Sequence, residues 1–310
     1  MQGLLEEILE IPSKTKLCYE NNKKTKLPLN VPYIGMGSSH YAPLTLFYAG
    51  KEINPQIASE YYYYLAKRTE SLGVLISQSG ESSETVWNLE KFEEVVSIVN
   101  YSNSSLGKSE KVIQVVQLFA GEEKYSSTKT YVNTLIALYL GLDIEPKTAI
   151  EKLEQQFESY KEVTKKPAKE IAGFLKANQI KGLFVIGSGP NIGTALESAL
   201  ILSETTKLSW VGMPVAQYDH GPKETAENTV VIILNGNGKD VKRIESVKDA
   251  ISKSNTLIVE LKETGLDENL TPITLITQLN FIMNYLADEL GAENTFNFGD
   301  KITTVNETIK

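Results

Sequence analysis

Two segments of this chain spell the same turn. Ile34-Gly35-Met36-Gly37-Ser38 and Ile186-Gly187-Ser188-Gly189-Pro190 each close an apolar strand on a Gly-x-Gly turn, about 150 residues apart. A short apolar run of this kind is what a strand buried on both faces of a parallel sheet looks like, and parallel strands need a helical crossover to the next strand. In each half a helix does follow, and then a second apolar strand with a small polar loop. In the first half Ser71–Ile76 leads into Ser77–Ser83. In the second, Val230–Leu234 leads into Asn235-Gly236-Asn237-Gly238. The spacing predicts two α/β units of one plan, each a parallel sheet flanked by helices.

A length of 310 residues is enough for two such units, each with its own core. The predicted organisation is a helical segment over 1–30, a first unit over 31–145, a charged helical connector over 146–166 and a second unit over 167–310. Leu4–Leu17 reads as a helix broken at Pro12. Helices are expected at Tyr41–Tyr48, from Glu84 onward with Val86, Leu89 and Phe92 on one side, at Thr128–Leu140 ending at Gly141, and at Ala168–Lys176. Strands are expected at Tyr33–Ile34, Asn54–Ala58, Val95–Val99 and Leu183–Ile186, and Val112–Phe119 is an apolar stretch. The run Tyr61–Tyr64 reads as a packed helix face without a catalytic role. Neither Gly-x-Gly turn completes the dinucleotide fingerprint, because His40 and Ile192 stand where a third glycine belongs.

The loop Ser77-Gln78-Ser79-Gly80-Glu81-Ser82-Ser83 holds the chemistry most open to reading. It joins a strand to a helix, so backbone N–H groups and the positive end of a helix dipole point into it. Four hydroxyls without a lysine or arginine suit an acceptor-rich phosphate. On residues alone, the turn is equally a polar connection with Ser82 or Ser83 as an N-cap. The second loop has lost the serines, so only the first is expected to hold phosphate.

The formal charge of −8 argues against a nucleic-acid surface, and Lys23-Lys24-Thr25-Lys26 is too short to make one. Cys18 is the only cysteine, which rules out an internal disulfide and a cysteine-based metal cluster. No metal or cofactor is implied. The first ten residues have no basic n-region, no apolar run approaches a membrane span, and a cytoplasmic location is expected.

Ser77-Gln78-Ser79-Gly80-Glu81-Ser82 resembles the Ser-Gln-Ser-Gly-Glu-Thr phosphate loop of the sugar isomerase (SIS) family, in the form found in the isomerase half of glutamine–fructose-6-phosphate aminotransferase. Other segments match the same family in order. Ser38-Ser39 resembles its first phosphate-contacting turn, Ala58-Ser59-Glu60 its Ala-Ser-Glu, and Ser126-Ser127-Thr128-Lys129 its Ala-Ser-Thr-Lys near the sugar. Ala195-Leu196-Glu197-Ser198-Ala199-Leu200 with Glu204 resembles its Ala-Leu-Glu-Gly-Ala-Leu…Glu helix. Asp219-His220-Gly221-Pro222 resembles Lys-His-Gly-Pro, and Lys301-Ile302-Thr303-Thr304-Val305 its terminal Lys-Ser-Val-Thr-Val.

The resemblance implies two tandem SIS domains, doubly wound and flavodoxin-like, acting on a phosphosugar as a homodimer with a shared site. It implies that Glu204 moves a proton between C1 and C2, that His220 opens the ring from the neighbouring subunit, and that Lys301 meets the sugar carbonyl. Phosphate contacts fall on Ser39, Ser77, Gln78, Ser79 and Ser82, and further sugar contacts on Ser38, Ser127, Thr128 and Glu197. Without the family, Glu197 and Glu204 at i and i+7 read as a solvated acidic face, His220 as a structural hydrogen-bonder in a tight turn, and Lys301 as a solvated terminal lysine.

Three departures shape the expected activity. Residue 2 is Gln2, no N-terminal cysteine nucleophile is present, and about 30 residues precede the first unit, so a glutaminase domain is not expected. Ile201 replaces a lysine of the family helix, and Phe296-Asn297-Phe298-Gly299-Asp300 replaces the usual approach to the terminal lysine. The expected reaction is glucosamine 6-phosphate to fructose 6-phosphate plus ammonia. The alternatives are a plain hexose-6-phosphate isomerase, a fructosamine-6-phosphate deglycase, an ammonia-dependent synthase and a non-catalytic phosphosugar sensor.

Overall fold

The computed structural model describes residues 2–293; the expected site residue Lys301 lies outside them. The chain opens with helices α1 (Gln2–Leu9) and α2 (Ile11–Asn22), divided near Pro12 as expected. Then come β1 (Pro32–Gly35), α3 (Ser38–Tyr48), β2 (Asn54–Ile57) and a single turn α4 (Ala58–Glu60) that widens into a π-helical turn, Tyr61–Leu65. β3 (Glu70–Ile76), α5 (Ser83–Trp87), β4 (Phe92–Val99), β5 (Val112–Gln117) and α6 (Lys129–Gly141) complete the first half. Helices α7 (Lys147–Val163) and α8 (Lys165–Ala177) precede β6 (Gly182–Gly187), α9 (Asn191–Thr206), β7 (Val211–Pro214) and α10 (Val215–Asp219). The described chain ends with β8 (Thr229–Asn235), α11 (Val241–Ile251), β9 (Thr256–Lys262) and α12 (Thr271–Leu290).

Two compact units result. One comprises residues 13–123 and 129–146; the other takes in residues up to 12, 124–128 and 147 onward. The first contains a five-stranded parallel sheet of order β2-β1-β3-β4-β5, the second a four-stranded parallel sheet of order β7-β6-β8-β9. The two orders follow one pattern, with the chain reversing direction between β1 and β3 in one sheet and between β6 and β8 in the other. In doubly wound sheets a ligand crevice opens at that reversal, outside the carboxyl ends of the strands.

Burial explains why the central strands were legible. Every residue of β8 is buried, as are the last four of β3, so both appear as unbroken apolar runs. Ile34, Leu75, Phe92, Val95 and Val99 gather on one face of the first sheet; Phe184, Ile186, Tyr218, Val231 and Ile233 do so in the second.

Two local expectations are corrected. The helix after the serine loop stops at Trp87, passes through a 3-10 turn at Asn88–Lys91, and Phe92 opens β4. The cause is Asn88, whose buried amide donates to the carbonyls of Ala58 and Glu84, both at 2.8 Å, and so ends the helix ladder. α6 ends at Gly141 as expected, and a side chain there would collide with Leu27. Of the four tyrosines only Tyr61 is buried, stacked on Phe92 at 5.7 Å and donating to Glu70 at 2.6 Å. The π turn spreads the others outward, and Tyr64 is 74% exposed.

Candidate functional site

Two groups of expected residues are brought together, one in each unit. In the unit built on β1–β5, the serine loop leaves the carboxyl end of β3 beside the point where the strand order reverses. Ser77 is fully buried and its hydroxyl is used within the loop: it donates to Ser82 Oγ at 3.0 Å and accepts from the N–H groups of Gly80 at 3.1 Å and Ser82 at 3.4 Å. Ser79 Oγ accepts from the N–H of Glu81 at 3.1 Å. Since each hydroxyl carries one proton, Ser79 and Ser82, both only partly buried, keep an O–H to donate to a ligand. Gln78 is also partly buried, and its carbonyl accepts from Asn100 N–H at 3.0 Å. Ser82 occupies the N-cap position of α5, yet its side chain makes no capping bond.

The one acid of the loop is turned aside. The Glu81 carboxylate accepts from the N–H of Ser105 at 2.7 Å and from its hydroxyl at 2.6 Å. Ser38 and Ser39 form the first turn of α3 on the neighbouring strand, both partly buried. His40 beside them tilts against Tyr41 and is hydrogen-bonded to the backbone of Gln56; burial holds its pKa below the usual imidazole range.

The equivalent crevice of the second sheet is already filled by an acid. Glu268 lies against the turns after β6 and β8: its carboxylate is 3.4 Å from where a Cβ on Gly189 would be, a Cβ on Gly238 would collide with it, and the Lys239 N–H donates to it at 3.3 Å. Ser188 Oγ donates to Asp240 at 2.8 Å in the same region. A fixed carboxylate repels phosphate, which gives a physical ground for expecting phosphate in the first crevice alone.

The second group lies on and beside α9. Glu197 is fully buried, so the solvated-face reading fails for it. Glu204 is partly buried and is hydrogen-bonded by the Ser126 side chain, while Ser126 Oγ is 3.3 Å from Thr205 Oγ1. Burial pushes the Glu204 carboxyl above the usual range; the Ser126 hydrogen bond and the charge of Lys207 pull it partly back. Ser126 was not singled out as a site residue from sequence, although the Ser-Ser-Thr-Lys motif contained it. Ser127 is partly buried and Thr128 fully buried. Lys129, the next residue and the start of α6, is a fully buried lysine that sequence reading also passed over.

His220 is exposed at the end of α10, where its N–H donates to the carbonyls of Ala216 at 3.1 Å and Gln217 at 3.2 Å. No hydrogen bond joins it to Glu204 among the described residues. Ile201, in place of the family lysine, is fully buried. Among the described residues no three His, Cys, Asp or Glu side chains gather as a metal site, and no helix is long and apolar enough to cross a membrane.

Two parallel sheets of the same strand order, with a serine loop at one crevice and a glutamate-bearing helix in the other unit, define a class of doubly wound α/β proteins. No protein-family profile matches the sequence. Among curated proteins it is 28% identical over 329 residues to the glutamine–fructose-6-phosphate aminotransferase [isomerizing] of Pyrococcus horikoshii, covering 92% of this chain and 54% of that protein. The chain spans about half the length of the curated relatives it matches. The fold is similar to the C-terminal domain of glucosamine-fructose-6-phosphate aminotransferase from Francisella tularensis, with a TM-score of 0.74, 19% identity, and 94% and 97% of the two chains covered. It is equally similar to a glucosamine-6-phosphate deaminase from Thermotoga maritima, with a TM-score of 0.75, 17% identity, and 92% and 94% covered. Over most of its length the chain resembles the isomerase half of glutamine–fructose-6-phosphate aminotransferase in sequence and in fold.

Proposed function

We propose that this protein isomerises an aminosugar phosphate, converting glucosamine 6-phosphate into fructose 6-phosphate with release of ammonia. The observation that carries the reading is Glu204. A carboxylate partly withdrawn from water, and steadied by one hydroxyl, retains enough basicity near neutral pH to take a proton from a carbon flanked by a carbonyl.

With the ring open, Glu204 would remove the proton at C2, leaving an enol shared between C1 and C2, and return it to C1. The product is a C2 imine; water adds to it, ammonia leaves, and the ketose remains. The phosphate would be anchored by Ser39, Gln78, Ser79 and Ser82, with Ser77 holding the loop from beneath, while Ser38, Ser127, Thr128 and Glu197 line the sugar. His220 would open the ring across a subunit boundary in a homodimer, which agrees with its exposure, and Lys301 would meet the carbonyl. The shared strand order supports reading the two sheets as tandem SIS domains in a cytoplasmic enzyme.

The reaction is tested by coupled detection of ammonia and fructose 6-phosphate from purified protein given glucosamine 6-phosphate, with glutamine as a control nitrogen source. Both products in equal amounts are expected, and none of the ammonia should derive from glutamine. Interconversion of glucose 6-phosphate without ammonia would replace this reading with that of a plain hexose isomerase.

Calorimetric titration with fructose 6-phosphate is expected to show one phosphosugar per chain, because Glu268 fills the second crevice. A hydrogen bond to a charged group contributes about 1.5–3 kcal/mol, so Ser79→Ala should weaken binding roughly 10- to 100-fold. Two sugars per chain, or an unchanged affinity, would show that the serine loop is an ordinary turn.

A further inference from the structure

A cavity lies in the α9 unit. It has a volume of about 670 Å³, within the range of small-ligand sites, and opens at the amino end of β6. Leu183, Leu208 and Leu290 contribute to an apolar wall, while Lys176, Lys181 and Lys207 are exposed at its rim; none of its lining residues is acidic. In a chain of net charge −8, three lysines around one apolar hollow are a local reversal of sign.

The ends of three helices reach this cavity, and they must enter the electrostatic account. α8, α9 and α12 all finish nearby, at Ala177, Thr206 and Leu290. Each C-terminus carries about half a negative charge, so the three offset roughly half of the positive charge of the lysines and leave the rim cationic. Part of the lysine hydrogen bonding is spent on those ends: Lys176 Nζ donates to the Glu289 carbonyl at 2.9 Å and Lys207 Nζ to the Glu204 carbonyl at 2.6 Å. An ammonium has three protons, so Lys176 keeps donors for a ligand beside the exposed Lys181.

Lys207 stands out further. It adopts the left-handed region, φ 61°, ψ 22°, at the end of α9, a position usually given to glycine. Its side chain reaches back to the backbone of the residue proposed as the base. Lys207 thus joins the cavity rim to the last turn of α9, which carries Glu204.

We propose that this cavity binds a small amphipathic anion, its acidic head among Lys176, Lys181 and Lys207 and its apolar body against Leu183, Leu208 and Leu290. The site is independent of the isomerase reading, since its occupancy is measured without turnover. The probe is 8-anilinonaphthalene-1-sulfonate, a monoanion on an apolar ring system. Titration of the intact protein, followed by fluorescence, is expected to saturate at one probe per chain. The double variant Lys181→Gln/Lys207→Gln should weaken binding about 10- to 100-fold, the range for lost hydrogen bonds to a charged group. Leu208→Glu, which places a carboxylate in the apolar wall, should do the same. N-phenyl-1-naphthylamine, the same ring system without the sulfonate, should bind at least tenfold more weakly. Thermal unfolding of each variant establishes that it is folded. Non-saturating fluorescence, equal affinity of the two probes, or indifference to both variants when folded would each overturn the proposal.

Discussion

Glu204→Gln is expected to remove the ammonia-releasing activity while leaving fructose 6-phosphate binding within a few-fold of normal. The amide keeps the size of the carboxylate and can still meet Ser126, but it cannot accept a proton from carbon. General acid–base groups contribute about 10²–10⁴-fold, and the sole base for carbon-acid chemistry reaches the upper end. The acid limb of the pH profile supplies a second reading of the same residue. Burial raises the folded-state pKa of Glu204, so the deprotonated base is lost at a higher pH than for an ordinary carboxylate. The Ser126 hydrogen bond favours the charged form, and its removal in Ser126→Ala should move the acid limb further up. A Glu204→Gln variant that still releases ammonia at the normal rate would place the base elsewhere. An acid limb that stays put in Ser126→Ala would separate that limb from Glu204.

The parts of this fold that could be read from sequence are those whose physical cause is local. β3, β6 and β8 are buried on both faces and are therefore written as apolar runs, and the Gly-x-Gly turns mark where they end. β7 is hard to read because Val211-Gly212-Met213-Pro214 is a four-residue edge strand that contains glycine and proline, both depleted in strands. α12 escaped notice because all but one residue of its first sixteen is buried, with Thr277, Asn280 and Asn284 inside, so no amphipathic stripe announces it. Asn88 ends α5 through a bond to Ala58, 30 residues away, which no window of sequence contains.

The candidate site divides along the same line. The serine loop is contiguous and could be recognised as a unit. The polar environment of Glu204 is assembled from Ser126, 78 positions earlier, and the i, i+7 spacing of Glu197 and Glu204 says nothing about burial. The role of Glu268 was equally hidden. Nothing in Asp267-Glu268-Asn269 indicates that its carboxylate lies against glycines at 189 and 238. The loss of serines from the second loop was visible, whereas the acid that occupies the crevice was not.

Gly80→Ala is expected to cost more phosphosugar affinity than any single serine substitution. Gly80 has φ +69°, a conformation alanine adopts only with strain, and a Cβ there would collide with the side chain of Ser104. Its N–H donates to Ser77 Oγ and its carbonyl accepts from Leu106 N–H at 3.0 Å, so moving it disturbs both ends of the loop. Ser104 cannot simply yield, because its hydroxyl accepts from the Gly107 N–H at 3.2 Å. If two donors to phosphate are displaced together, each contributing about 1.5–3 kcal/mol, affinity falls on the order of a hundredfold or more. Adding Ser104→Gly to Gly80→Ala removes the collision but leaves the backbone strain, so the double variant should recover part of the binding and not all of it. Calorimetry on the two variants, with thermal unfolding to confirm that both remain folded, separates the terms. Full recovery would assign the whole effect to the collision, and no loss in Gly80→Ala would mean that the phosphate does not depend on the shape of this loop.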